Sequence, residues 1–143
     1  MEEDKPAKSV YTIPKVSAKK KIADKHNKAD KEALDKFFDD ALMHAPFHCE
    51  NCTTDLREST IVNPRTIVCH ILAKKKGIGG FPSVAAHPMN KFYGCMRCHK
   101  GYDEQGKDFI LQMPLLETIK QRVQILLPLL TPEERNRVPE YLL

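Results

Sequence analysis

Two short cysteine pairs carry the most specific chemical signal in the chain. Cys49-Glu-Asn-Cys52 and Cys95-Met-Arg-Cys98 share one spacing and use four of the five cysteines. A Cys-x-x-Cys knuckle aims two sulfurs at one point, so two knuckles can surround a single tetrahedral ion with four thiolates. Structural zinc is the expected ion. Neither pair is followed by the βαβ pattern of a thioredoxin-like redox motif. Four unrelated buried cysteines are the bland alternative, and the repeated spacing argues against it.

Three further polar residues fall where the middle of the chain is most constrained. His70 lies near the end of an extended run that enters a lysine-rich loop, Asn90 opens a second such run, and His99 directly follows the second cysteine pair. A strand–loop–strand–helix arrangement would bring all three to one side of a zinc-stapled unit. That set suits metal-assisted phosphodiester hydrolysis. One histidine takes a proton from water, the asparagine carbonyl orients it, and the other histidine binds a cation that polarises the phosphate.

His70, Asn90 and Cys95-x-x-Cys98-His99 resemble the signature of the HNH endonucleases of the His-Me finger (ββα-metal) class. The two cysteine pairs are similar to those of the zinc-stapled subgroup found in phages and mobile elements, as is the lead-in Ile13-Pro-Lys-Val-Ser-Ala-Lys-Lys-Lys21. The resemblance covers residues 48 to 104 well and the remainder loosely. It implies that His70 is the general base, Asn90 its orienting partner and His99 a ligand of a catalytic divalent ion (Mg2+, Mn2+, Ni2+ or Zn2+). Many members have Asp or His where this chain has Cys69. A thiolate suits zinc better than magnesium, so Cys69 either ligates a softer ion or is a buried strand residue; the second is preferred. His87 reads as a loop histidine, and Asp103 as either a partner of His99 one helical turn on or a surface carboxylate. Lys74, Lys75, Lys76, Lys91, Arg97 and Lys100 surround the site in sequence and could neutralise phosphates. The implied function is a phage or prophage nuclease acting on DNA. The alternative is a non-catalytic zinc-stapled nucleic-acid-binding or assembly module.

These residues need elements to position them. The expected fold class is α+β, a small zinc-stapled ββα-metal core flanked by N-terminal and C-terminal helices. Leu34, Phe37, Phe38, Ala41 and Leu42 recur at helical spacing, which predicts a helix from about Lys28 to Met43 that ends before Pro46. Ile61-Val62 and Thr66 to Leu72 read as short strands separated by Asn63-Pro64, and Lys91 to Gly94 as another. Leu115, Leu116, Ile119, Val123, Leu126, Leu127 and Leu130 form an apolar stripe, core or an oligomer contact. Thr131-Pro-Glu-Glu134 is a capping box that starts a last short helix.

At 143 residues and a net charge of +4, the chain reads as a basic, flexible arm over residues 1–28 and a single domain over residues 29–143. It shows neither the apolar segment of a signal peptide nor a run long enough to span a membrane. The reading is of a protein in the cytoplasm of a bacterial host, with nucleic acid as partner and no small-molecule cofactor.

Overall fold

The computed structural model describes residues 18–143 apart from 58–62 and 75–78, with side chains from residue 28 onward. The chain divides into two compact units, Met1–Glu32 and Ala33–Leu143. Helix α1 spans Ala18–Met43 and so begins well before Lys28. Residues 18–27 lack an apolar stripe, but they also lack Gly and Pro, so continuing the helix through them costs little. Most of the arm expected over residues 1–28 lies outside the described residues, as do the Ile61-Val62 run, Lys75 and Lys76.

The sheet is minimal. Strand β1 (Val68–Cys69) pairs antiparallel with β2 (Phe92–Tyr93), Val68 opposite Tyr93 and Cys69 opposite Phe92. The longer strand expected from Thr66 does not form, because Pro64–Ile67 is a 3-10 turn. The Asn63 side chain accepts the Arg65 N–H at 3.2 Å, and Pro64 fixes φ at a helical value as the first residue of the turn. Beyond β2 the chain turns at Gly94, where a Cβ would approach Phe92 to 2.9 Å.

Helix α2 (Met96–Lys100) runs directly into a π-helical turn, Gly101–Gln105, and then α3 (Lys107–Ile110). Gly101 is needed there: a Cβ would sit 2.5 Å from the Phe109 ring. Gly106, at φ 64°, makes the left-handed reversal between the turn and α3. Helix α4 (Leu116–Leu126) follows, then α5 (Pro132–Arg137). The Thr131 hydroxyl accepts the Glu134 N–H at 3.1 Å and Glu134 accepts the Thr131 N–H at 2.8 Å, so the capping box forms. The same buried carboxylate also accepts the Ser83 N–H at 3.1 Å, tying α5 to the turn at Pro82–Val84.

Two apolar clusters result. Ile119, Val123 and Leu126 of α4 pack with Cys69, Leu72, Phe92 and Tyr102 in the larger one. Phe37, Phe38 and Ala41 of α1 pack with Leu56, Ile67, Val68 and three of the cysteines in the smaller. The described chain is therefore mostly helical, with a sheet of two residues per strand. The expected α+β architecture, with strands long enough to frame a ββα-metal core, is corrected on this point. Asn63 and Pro64 divert the first run and Gly94 ends the second.

The α4 stripe sets a test. Leu126 is fully buried and Ile125 is half exposed. Leu126→Ala should lower unfolding free energy by about 2–5 kcal/mol in urea titration. Ile125→Ala should change it by less than about 0.5 kcal/mol.

Candidate functional site

The cysteine pairs meet. The sulfurs of Cys49, Cys52, Cys95 and Cys98 all lie within 4.8 Å of one another, a grouping able to hold a metal ion. Cys52 and Cys95 stand Sγ to Sγ at 3.5 Å, which is too far for a disulfide, and all five cysteines are free. The first pair sits on a tight turn in which the Thr53 N–H donates to the Cys49 carbonyl at 3.0 Å and the Cys52 N–H to Cys49 Sγ at 3.4 Å. Thr53 holds the left-handed conformation, φ 66°, that this turn demands. The second pair rides on α2, with Cys95 as its N-cap residue. Asn51 joins the two segments. Its amide donates to Cys98 Sγ at 3.3 Å while its Oδ1 accepts the Leu115 N–H at 3.1 Å.

Charge in the cluster is uneven. Burial pushes the Cys98 thiol up to about 12. Cys52 is the more exposed sulfur; burial opposes its ionisation, but hydrogen bonds from Thr54 outweigh it and bring the thiol down to about 6. The Arg97 guanidinium stands against Cys52.

The histidines face a different space. His70 and His99, with Phe38, Lys74, Tyr102 and Asp103, line a cleft of about 660 Å³. The ring of His70 stacks on Phe37, centroids 4.7 Å apart, and its Nε2 donates to the Ala85 carbonyl at 2.8 Å. Burial holds this imidazole down at about 4. His99 donates from Nδ1 to the Thr66 carbonyl at 2.6 Å and turns Nε2 to Asp103 at 3.1 Å, a contact that raises its pKa.

The Asn90 side chain bonds to backbone and not to the His70 ring. It is fully buried, its Oδ1 accepts the Leu72 N–H at 2.7 Å, and its amide donates to the carbonyls of Leu72 (2.9 Å) and Val84 (3.1 Å). These three side-chain bonds all go to backbone and tie Asn90 to Leu72 and Val84. Cys69 is fully buried in the larger cluster, and burial raises its pKa. The basic residues are dispersed in role. Lys74 stands over the Phe38 ring at 5.0 Å, Lys91 donates to the Pro88 carbonyl, Arg97 belongs to the cysteine cluster and Lys100 is exposed. Sequence reasoning missed Asn51, Glu50 and Arg122. Arg122 grips Glu50 with both arms (2.9 and 3.2 Å), and Glu50 in turn accepts the Tyr93 N–H at 2.8 Å.

Two expectations follow. Asn90→Ala leaves the Leu72 N–H and two carbonyls without their partner. It should cost on the order of 3 kcal/mol or more in denaturant unfolding, and Asn90→Asp should cost more, since it sets a carboxylate against two carbonyl oxygens. His70 gives the pH dependence. Its folded pKa, about 4, lies below the ordinary histidine value of 6.5, so between those values the unfolded chain takes up a proton that the folded chain refuses. That contribution is complete above pH 6.5 and declines as pH falls toward 4, by an amount on the order of 3 kcal/mol. His70→Gln retains a donor for Ala85, and its stability measured over the same range should lack this decline.

The model of the class III cytochrome c family matches residues 14–119. No curated protein and no solved structure matches the chain. The resemblance to HNH endonucleases is overturned by the family match, and with it the ββα-metal fold class. Also overturned are DNA hydrolysis by His70 and Asn90, the nucleic-acid-binding alternative and the DNA partner. The expected cofactors, structural zinc with a catalytic divalent ion, and the absence of a small-molecule cofactor are overturned in the same way, since c-type cytochromes carry haem. The signal lay in residues already singled out: Cys95-x-x-Cys98-His99 has the sequence by which a c-type haem is attached. With its match running from residue 14 to residue 119, well over half its length, the chain belongs to the class III cytochrome c family.

Proposed function

We propose that this chain transfers electrons, one at a time, between redox partners. The family match over residues 14–119 is the observation that carries the reading. It replaces hydrolysis with redox chemistry, in which the protein's part is to hold a centre, shield it and present one edge to a partner.

Haem is the group the family implies, and its fit can be tested on the residues. Attachment at Cys-x-x-Cys-His joins each sulfur to a carbon of the macrocycle and places the histidine on the iron. His99 meets part of this requirement. A backbone carbonyl takes its Nδ1 proton, as second-shell partners of metal-bound histidines do, although Nε2 faces Asp103. The sulfurs do not meet it. Cys98 is fully buried and bonded to Asn51, and Cys95 is turned to Cys52 at 3.5 Å. Both point into the other cysteine pair, away from the cleft that could take a large ring. The first pair offers no second attachment site, because Thr53 stands where a histidine would follow Cys52. As folded, the residues do not accept a thioether-linked haem.

An electron carrier built on this fold would exchange electrons at the Cys52 side. Cys52 is less buried than Cys49, Cys95 and Cys98, and Arg97 and the half-exposed Met96 lie on the neighbouring α2. Phe37, Phe38, Leu56 and Ile67 pack in one buried cluster with Cys49, Cys95 and Cys98. The test is a spectroscopic redox titration of the purified full chain. A reversible one-electron transition is expected, and Cys95→Ser should abolish it. A chain with no reversibly reducible group does not transfer electrons.

A further inference from the structure

The Cys52 side carries chemistry that needs no prosthetic group. We propose that Cys52 and Cys95 form a redox-active dithiol that exchanges with small, carboxylate-bearing disulfides bound in a cleft beside Arg97. This activity moves electrons in pairs, so it is separate from one-electron transfer and holds whether or not the chain performs that.

Three features carry the assignment. The first is the reach between the sulfurs. Cys52 and Cys95 stand 3.5 Å apart and a disulfide needs about 2.05 Å, so a closure of about 1.5 Å joins them. The other two cysteines of the cluster are held back. Cys98 is fully buried with the Asn51 amide on its sulfur, and Cys49 is buried with the Cys52 N–H on its sulfur. The second feature is the difference in access. Cys52 is half-buried, whereas Cys95 is buried and in contact with it. That is the arrangement of an attacking thiol with a resolving thiol. The Thr54 hydroxyl, at 3.1 Å, and the Arg97 guanidinium both stand at Cys52 Sγ, and a cation there favours the attacking thiolate. The third feature is a binding space. A second cleft, of about 250 Å³, has Cys52 and Arg97 in its wall together with Phe109, Gln112, Met113 and Pro114. Its apolar wall suits the methylene stem of a thiol compound, Gln112 offers amide hydrogen bonds, and Arg97 offers a carboxylate its partner. The volume lies at the small end for ligand sites and limits the substrate to a small disulfide.

The exchange runs in two steps. The Cys52 thiolate attacks one sulfur of the substrate, R–S–S–R. A Cys52–S–R bond forms, the substrate S–S bond breaks, and one R–S− leaves and takes a proton from solvent. Cys95, having given its own proton to solvent, then attacks Cys52 Sγ. The Cys52–Cys95 bond forms, the mixed disulfide breaks, and the second R–S− leaves and is protonated in turn. Two protein sulfurs are oxidised, two substrate sulfurs are reduced, and one pair of electrons has passed to the substrate. Excess reduced thiol runs both steps backwards.

The test uses the full chain, reduced and then freed of reductant, with oxidised glutathione as the acidic probe and hydroxyethyl disulfide as the neutral one. Thiols are counted by acid-quenched alkylation, and the modified cysteines are located by peptide mass mapping. Oxidised glutathione should consume two of the five free thiols. A glutathione adduct on Cys52 should come first and a Cys52–Cys95 disulfide second, and excess reduced glutathione should restore both thiols. Cys95→Ser should stop the reaction at the adduct on Cys52. Since that variant could fail to fold, a second one changes only the exposed Arg97. Arg97→Gln should narrow the preference for oxidised glutathione over the neutral disulfide by about tenfold. Five thiols retained, first attack at another cysteine, or a disulfide that excludes Cys52 or Cys95 overturns the proposal. So does covalent haem on Cys95, or a preference that Arg97→Gln leaves untouched. A one-electron transition alongside five unreacted thiols keeps electron transfer and removes the exchange. The Cys52–Cys95 disulfide without a one-electron transition does the reverse.

Discussion

The convergence of two cysteine pairs, 43 residues apart between Cys52 and Cys95, is the constraint on which the centre of the chain depends. Sulfurs alone do not hold it. The Glu50 N–H donates to the Tyr93 carbonyl at 2.8 Å, while the Glu50 carboxylate accepts the Tyr93 N–H, so the first pair is laid alongside β2 by one backbone bond and one side-chain bond. Arg122 then clamps Glu50 from α4 and donates to the Lys91 carbonyl at 2.9 Å. A bidentate, partly buried pair of this kind fixes orientation better than a lysine could. One glutamate thus links the cysteine turn, the sheet and the C-terminal helices.

The sheet is short because its work is division. Alternation sends Cys69 and Phe92 into the cluster under α4, and Val68 into the cluster around the cysteines. Two residues per strand are enough to separate two apolar regions when each is closed by helices. Buried polar ties then replace the ladder bonds that longer strands would supply. Asn90 spans Leu72 and Val84, the Tyr102 hydroxyl donates to the Ile71 carbonyl at 2.7 Å, and Glu134 gathers N–H groups from Thr131 and Ser83. Asn90 and the Tyr102 hydroxyl are costly to remove because their partners Leu72, Val84 and Ile71 are themselves buried.

Five residues, Cys95-Met-Arg-Cys98-His99, support two chemistries on paper, a metal knuckle followed by a catalytic ligand and a haem attachment site. The family match places the chain among cytochromes, whereas the side-chain directions separate the sulfurs from the histidine. In α2, Cys98 faces Asn51 and the other cysteines while His99 faces Thr66 and Asp103. Spacing along a chain gives the order of donors. It does not give the point at which they aim.

The sequence by itself determined the features that depend on local periodicity and local hydrogen bonding. The leucine stripe buried Ile119, Val123 and Leu126 because a 3.6-residue repeat leaves one face for the core. The Thr131–Glu134 box formed because both its partners lie within one turn, and the paired cysteines were visible as a repeated spacing. Only the tertiary structure decided the rest. Asn90 became a backbone tie because Leu72 and Val84 are brought to it across a loop. The run from Pro64 yielded to a 3-10 turn because Asn63 captured the Arg65 N–H before a ladder could. His70 was withdrawn from ionisation by Phe37, which arrives from α1. Burial and the direction of a side chain are properties of the packed chain, and no window of neighbouring residues contains them.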